Sequence, residues 1–159
     1  MSEPAQPQQQ QPQFQIEKLY VKDLSLEVPH APEVFLKIEN PELEIEVASA
    51  QKPFGDGLFE VVVTVTVTAR TGDKTLFLAT VAQAGIFAVR GVPTQDLDPL
   101  LGIGCPTILY PYVREAISDL VTRGGFPPVV LAPVSFEALY MQRHQEGKEK
   151  GGSRIEIAH

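Results

Sequence analysis

Catalysis needs a nucleophile, a base, a metal-ligand set or a phosphate cradle, and this sequence offers few residues for any of them. Its one cysteine, Cys105, stands in GIGCP ahead of a helix-like stretch. No pattern of the cysteine-hydrolase kind surrounds it, so the expected role is a small packed side chain. His30, His144 and His159 lie in a Pro-rich loop, at a helix end and in a tail, without the spacing of a metal site. TGDKT has no phosphate-binding glycine loop, and GIGCP does not follow a strand with G-x-G-x-x-G spacing, so no nucleotide or other cofactor site is expected. Glu42, Glu44 and Glu46 alternate along PELEIEV, which reads as a solvated strand face rather than a carboxylate pair tuned for acid–base work.

The residues left without a task are apolar. In GGFPPVVLAPVSFEALYMQRH, residues 124 to 144, Pro127, Pro128 and Pro133 forbid a helix before Ser135. An extended loop then brings Phe126, Val129, Val130 and Leu131 close to Phe136, Leu139, Tyr140 and Met141. Two readings are open. The loop closes the core, which the pattern alone favours, or loop and helix form a groove in which flexible methionine and flat aromatics accept varied apolar side chains.

Strands must position that segment. Residues 14 to 28 alternate, with Leu24, Leu26 and Val28 on one side and Asp23, Ser25 and Glu27 on the other; PELEIEV does the same with Leu43, Ile45 and Val47. EVVVTVTVTA, residues 60 to 69, sets Val61, Val63, Val65 and Val67 against Val62, Thr64, Thr66 and Thr68. Thr71, Gly72 and Asp73 supply a turn, and KTLFLATVAQAGIFAV returns as the hairpin partner. After the Gly- and Pro-punctuated DPLLGIGCP the period changes to that of a helix. Tyr112 or Val113, Ala116 or Ile117, and Leu120 or Val121 recur on one side, with Pro111 expected in the first turn and Gly124 and Gly125 at the C-terminal cap. A second helix follows from Ser135 as N-cap, with Phe136, Leu139, Tyr140 and Arg143 on one stripe.

Strands first and helices last imply an α+β domain, in which a sheet and one long helix leave apolar surface uncovered. Self-association is the expected cover, against a monomer whose long N-terminal loop lies over the helix. The chain of 159 residues suits a single domain over residues 14–144. A Gln- and Pro-rich arm at 1–13 and a charged, Gly-rich tail at 145–159 are expected to stay flexible, although Ile155 and Ile157 could dock on something. A net charge of -7 argues against nucleic acid, which recruits clustered lysine and arginine. A lone cysteine cannot make an internal disulfide, and MSEPAQPQQQQPQ has neither the basic nor the apolar region of a secretory signal. No apolar run approaches the roughly 20 residues that span a bilayer. A cytoplasmic protein without direct membrane insertion is the expectation.

PYVREAISDLVTRGGFPPVVLAPVSFEALYMQ closely resembles the long helix, crossover loop and second helix of the SecB protein-export chaperones, including their Arg-Gly-x-Phe-Pro and Leu-Ala-Pro-Val stretches. FQIEKLYVKDLSLEVPHAP, FEVVVTVTVTA and the Ala-Gly-Ile-Phe of residues 84 to 87 look like the family's strands, so the resemblance runs from about residue 14 to 142. It implies a cytoplasmic homotetramer, a dimer of dimers, in which four-stranded antiparallel sheets sandwich the long helices. It also implies an ATP-independent holdase, not an enzyme and without a cofactor. Such a protein binds unfolded precursor proteins in surface grooves, keeps them translocation-competent and passes them to SecA, the translocation motor. On that reading the groove walls are Phe126, Val130, Leu131, Phe136, Leu139, Tyr140 and Met141. The family's SecA contact matches Asp23, Glu27 and Leu78 here, with Thr80 where the family commonly has a glutamate. The competing function is a module that uses the same groove for one fixed partner or apolar ligand.

Overall fold

The valine alternation of residues 60 to 69 sets the centre of the fold. Val61, Val63, Val65 and Val67 are wholly buried, while Val62, Thr64, Thr66 and Thr68 are half-buried on the opposite face. The computed structural model describes residues 11–147 and 155–158. Four long strands, β1 (Gln13–Glu27), β2 (Glu42–Pro53), β3 (Leu58–Thr71) and β4 (Lys74–Arg90), form the antiparallel sheet anticipated from the alternation. A short helix α1 (Thr94–Pro99), a π-helical turn (Leu100–Gly104), the long helix α2 (Cys105–Arg123) and helix α3 (Phe136–Gly147) come next in the chain. A fifth, short strand β5 (Ile155–Ala158) comes last, and the sheet order is β1-β4-β3-β2-β5.

Helix α2 crosses the inner face of the sheet over β3 and β4. Leu109, Val113, Ile117 and Val121, four residues apart on one stripe, are wholly buried against the inner valines and Phe87. The expected start at Pro111 is displaced. The helix begins at Cys105, Pro106 takes the first turn, and Pro111 lies inside. A proline in a helix interior costs about 3 kcal/mol, yet each fully buried large apolar side chain returns about 1.5–3 kcal/mol. Leu101, Leu109 and Tyr110, all buried, therefore carry the helical path through a segment that reads as punctuated.

Residues 145–147 complete α3 and residues 155–158 pair with β2, while 148–154 and 159 lie outside the described residues, as do residues 1–10 of the arm. Gln13 already belongs to β1.

Strand β1 carries two register shifts against β4, between Ile16 and Lys18 and between Val21 and Asp23. Each inserts an unpaired residue and flips the parity of the strand beyond it. Tyr20 and Asp23 thus share the outer face, opposite Ala84 and Ala82, although a regular strand would place them on opposite sides.

Candidate functional site

Between α2 and α3 the chain leaves the helix at Gly124 and turns at Gly125, whose φ of 91° is a left-handed conformation that side chains rarely adopt. A Cβ on Gly125 would also meet the Phe35 ring at 2.9 Å. The turn drives Phe126 inward. Its ring lies 4.9 Å from that of Phe77 and 5.3 Å from that of Phe35, between the sheet and a 3-10 turn at Glu33–Leu36. From Pro127 the segment is extended and alternates: Val129 and Leu131 are buried, Val130 is 81% exposed. The Tyr110 hydroxyl donates to the Ala132 carbonyl at 2.5 Å and fixes the segment to α2. The Phe136 ring then packs edge-on against Tyr110, with centroids 5.7 Å apart.

Helix α3 starts as its sequence predicts. Ser135 Oγ accepts from the Ala138 N–H at 3.2 Å, satisfying one of the unpaired first-turn donors. Tyr140, one stripe further, is seated over Gly102 in the π-helical turn, where a Cβ would lie 2.7 Å from its ring. Its hydroxyl donates to Asp98 Oδ2 at 2.6 Å, and Gln51 Nε2 donates to Asp98 Oδ1 at 2.9 Å. Those bonds, Tyr140's foremost, hold the Asp98 carboxyl below its ordinary range against partial desolvation, and the Tyr140 phenol is pushed up to about 12. His144 Nε2 lies 3.5 Å from the same carboxylate, and Arg143 donates to the Ser49 carbonyl at 3.0 Å. Asp98 therefore ties α3 to α1 and β2.

The residues expected to wall the groove fall into two groups. Phe126, Leu131 and Phe136 are buried, at 5%, 2% and 4% exposure, and Leu139 and Tyr140 are half-buried. Val130 and Met141 stand open, Met141 at 58%. The buried group sets the path of the segment, and the open pair lies at the surface. Sequence reasoning missed Phe35, Leu36 and Ile38, exposed large apolar residues in and after the 3-10 turn. Their signal was an apolar cluster inside PHAPEVFLKI, masked by the prolines around it.

The outer face of the sheet, turned away from α2, gathers the other predicted set. Asp23 pairs with Ala82, Ser25 with Thr80 and Glu27 with Leu78, so Asp23, Glu27 and Leu78 share that face with Thr80 between them. The register continues through Thr66 and Thr68 to Glu46 and Glu44 on β2, which gives the face acidic residues on both flanks. Thr80 and Thr66 hydroxyls lie 3.4 Å apart in the middle. Further along the face Glu60, 9% exposed, accepts from Lys22 at 2.7 Å and from Tyr20, with Lys52 at 3.8 Å. The Lys22 bond, then the Tyr20 bond, hold its carboxyl below the ordinary range. Burial, then the contact with Glu60, pushes the Tyr20 phenol up to about 12. No local signal in the sequence joins Glu60 to residues about forty positions upstream.

Cys105 is wholly buried, and burial pushes its thiol up to about 12, far from the thiolate that a nucleophile needs. Among the described residues no three His, Cys, Asp or Glu side chains gather to hold a metal, and no helix is long and apolar enough to cross a membrane.

Residues 7–147 match the family model described as preprotein translocase subunit SecB. The protein-export protein SecB of Chromobacterium violaceum is 58% identical over 146 residues, covering 92% of this chain and 97% of that one. That of Methylobacillus flagellatus is 57% identical over 151 residues, covering 95% and 96%. That of Neisseria meningitidis is 55% identical over 142 residues, covering 89% and 96%. A solved SecB-like chaperone of Mycobacterium tuberculosis, in complex with a ChAD peptide from the HigA1 antitoxin, shares the fold with a TM-score of 0.58. It is 23% identical, over 76% of this chain and 90% of that one. With the motifs in their places on strands, crossover segment and helices, the chain belongs to the SecB family of protein-export chaperones.

Proposed function

We propose that this chain is an ATP-independent holdase of the cytoplasm, not an enzyme. It binds unfolded precursor proteins, keeps them translocation-competent and delivers them to the SecA motor. The observation that carries this reading is the crossover segment: an irregular loop pinned by buried Phe126, Leu131 and Phe136 while Val130, 81% exposed, faces outward. A rigid apolar ledge of that kind offers contact area at low ordering cost, and each square ångström of apolar surface buried on it contributes roughly 25 cal/mol. A ligand that binds only non-native chains withdraws them from folding by mass action and needs no chemistry. The peptide in complex with the mycobacterial relative supports the same reading, since that peptide is a segment of another protein.

The active form is a homotetramer, a dimer of dimers. Phe14, Ile16, Val21 and Leu24 on β1 and Tyr112 on α2 are 40–50% exposed, apolar surface that a second copy would cover. Several ledges on one particle give a long client several simultaneous contacts, so avidity replaces sequence specificity. The acidic outer face, with Asp23, Glu27 and Leu78, is the SecA-docking surface.

The test is suppression of aggregation of several unrelated denatured proteins near stoichiometry without ATP, with solution mass measured alongside. Failure on every client would sink the holdase reading, and binding of one partner alone would favour a dedicated module. A monomeric mass would remove the tetramer.

A further inference from the structure

The outer face of the sheet is electrically uneven along its strands. Asp23, Glu27, Glu44 and Glu46 stand toward one end. Toward the other end the register aligns Lys18, Ile86, Glu60 and Lys52 across the four strands, and Lys22 joins that group through its bond to Glu60. The lysines outnumber the carboxylate, so this end carries an excess of positive charge. Between the two ends the side chains are small. Ala82 and Thr64 continue the row that starts at Asp23, and Val62 and Ala50 lie in the next row. With Lys22, Asp23 and Lys52 they line a solvent-open trough of about 430 Å³.

The two lysines of the trough are not equivalent. Glu60 accepts from Tyr20 on one oxygen and from Lys22 at 2.7 Å on the other. The Lys52 ammonium lies 3.8 Å from that second oxygen, beyond hydrogen-bond reach, and its side chain is 62% exposed. The nearby carboxylate is thus already satisfied, and Lys52 keeps its three donors for an incoming acceptor.

We propose that the partner segment docked on Asp23 and Glu27 is bipolar: a basic residue meets Asp23, small residues lie in the trough, and a carboxylate meets Lys52. The proposal rests on the docking reading above and adds to it the chemistry of the docked segment. Asp23 and Lys52 stand three strands apart and four residues apart in register, about 20 Å at ordinary sheet spacings, which an extended segment of about six residues spans. An acidic patch alone attracts any polycation. The lysines supply the repulsion that rejects a wholly basic segment and the attraction that fixes a mixed one.

Three eight-residue peptides, capped at both ends, share the sequence Lys-Lys-Ala-Gly-Ala-Gly and finish in Glu-Glu, Gln-Gln or Lys-Lys. Each is titrated to millimolar concentration into the full chain at physiological salt, with alanine methyl shifts followed at Ala50 and Ala82 and SecA binding measured in parallel. The Glu-Glu peptide is expected to bind the wild type about three- to fivefold tighter than the Gln-Gln peptide, and the Lys-Lys peptide weakest. Lys52→Gln should erase the preference. Lys52→Glu should reverse it in favour of the Lys-Lys peptide, a rescue that damage to the fold cannot imitate, and should weaken SecA binding about three- to tenfold. No methyl shift at Ala50 and Ala82 with any peptide, or a preference that survives Lys52→Gln, overturns the bipolar trough. SecA binding that weakens in Asp23→Lys and ignores Lys52→Glu overturns the trough alone and leaves the docking reading standing. SecA binding that ignores both substitutions overturns the docking reading and the trough with it.

Discussion

Tyr140 donates its phenolic proton to Asp98 at 2.6 Å, a contact between residues 42 positions apart that fastens α3 to the start of the helical layer. The ring can reach Asp98 because position 102 has no side chain. Gly102→Ala and Tyr140→Phe should therefore have the same consequence, faster amide exchange across α3, and the double variant should add little to either. Independent, additive effects would separate the glycine from the hydrogen bond. The pH limbs also have fixed signs. Asp98's carboxyl is depressed, so its contribution is present above the ordinary carboxylate value and lost as pH falls through the lowered one. Tyr140 is raised, so its contribution is present below 10 and lost as pH climbs through about 12. Tyr140→Phe should remove the alkaline loosening of α3, followed by exchange or by phenolate absorbance.

Packing and contact divide within the crossover segment. Phe126→Ala removes a ring held between Phe77 and Phe35 and should cost about 3–5 kcal/mol in denaturant unfolding. Val130→Ser with Met141→Ser changes two open side chains and should leave stability within about 0.5 kcal/mol. Client affinity should fall about tenfold in that double variant, roughly 1.4 kcal/mol. Affinity that follows Phe126→Ala at equal stability, and ignores Val130 and Met141, would relocate the groove.

The sequence made one kind of order legible and hid another. Strict alternation disclosed the inner face through Val61, Val63, Val65 and Val67, because a period of two survives any tertiary context that buries one face. Ser135 disclosed the start of α3, because capping is local. Pro111 misled, since the burial of Leu109 and Tyr110 outweighs one missing helical bond. The shift between Val21 and Asp23 was invisible, and with it the meeting of Tyr20 and Lys22 with Glu60, because a single unpaired residue leaves no compositional trace. Within the expected groove set, residue type named the apolar members but could not separate the buried Phe126, Leu131 and Phe136 from the open Val130 and Met141. That depends on which way an extended backbone leaves Gly125.

Glu60 predicts an acid limb of its own. Its carboxyl is held below the ordinary 4.5, so the stability it lends is present above that value and lost as pH falls through the lowered one. Glu60→Gln should flatten acid unfolding in that window. At neutral pH the loss should be about 1–2 kcal/mol, at and below the foot of the range for bonds to charged groups, since Lys22 is 45% exposed and solvent screens it. An unchanged acid midpoint would mean that Lys22 and Tyr20 find water without cost.

The proposed docking surface turns on distance. Glu27 stands directly opposite Leu78, while Glu44 lies three strands away across Thr68, about 14 Å at ordinary strand spacing. That exceeds the Debye length of about 8 Å at physiological salt, and Arg70 lies 3.7 Å from Glu44 and partly neutralises it. A cationic partner seated on β1 and β4 should therefore depend on Asp23 and Glu27 far more than on Glu44. Asp23→Lys with Glu27→Lys should weaken SecA binding at least about tenfold at physiological salt and leave client binding intact. Glu44→Gln should matter only at low salt, where screening relaxes. Thr80→Glu should tighten the complex, because it adds a carboxylate between Asp23 and Glu27 on the same face. Equal loss of SecA and client binding on reversing Asp23 and Glu27 would refute the division of the molecule into an outer docking face and an inner holding ledge.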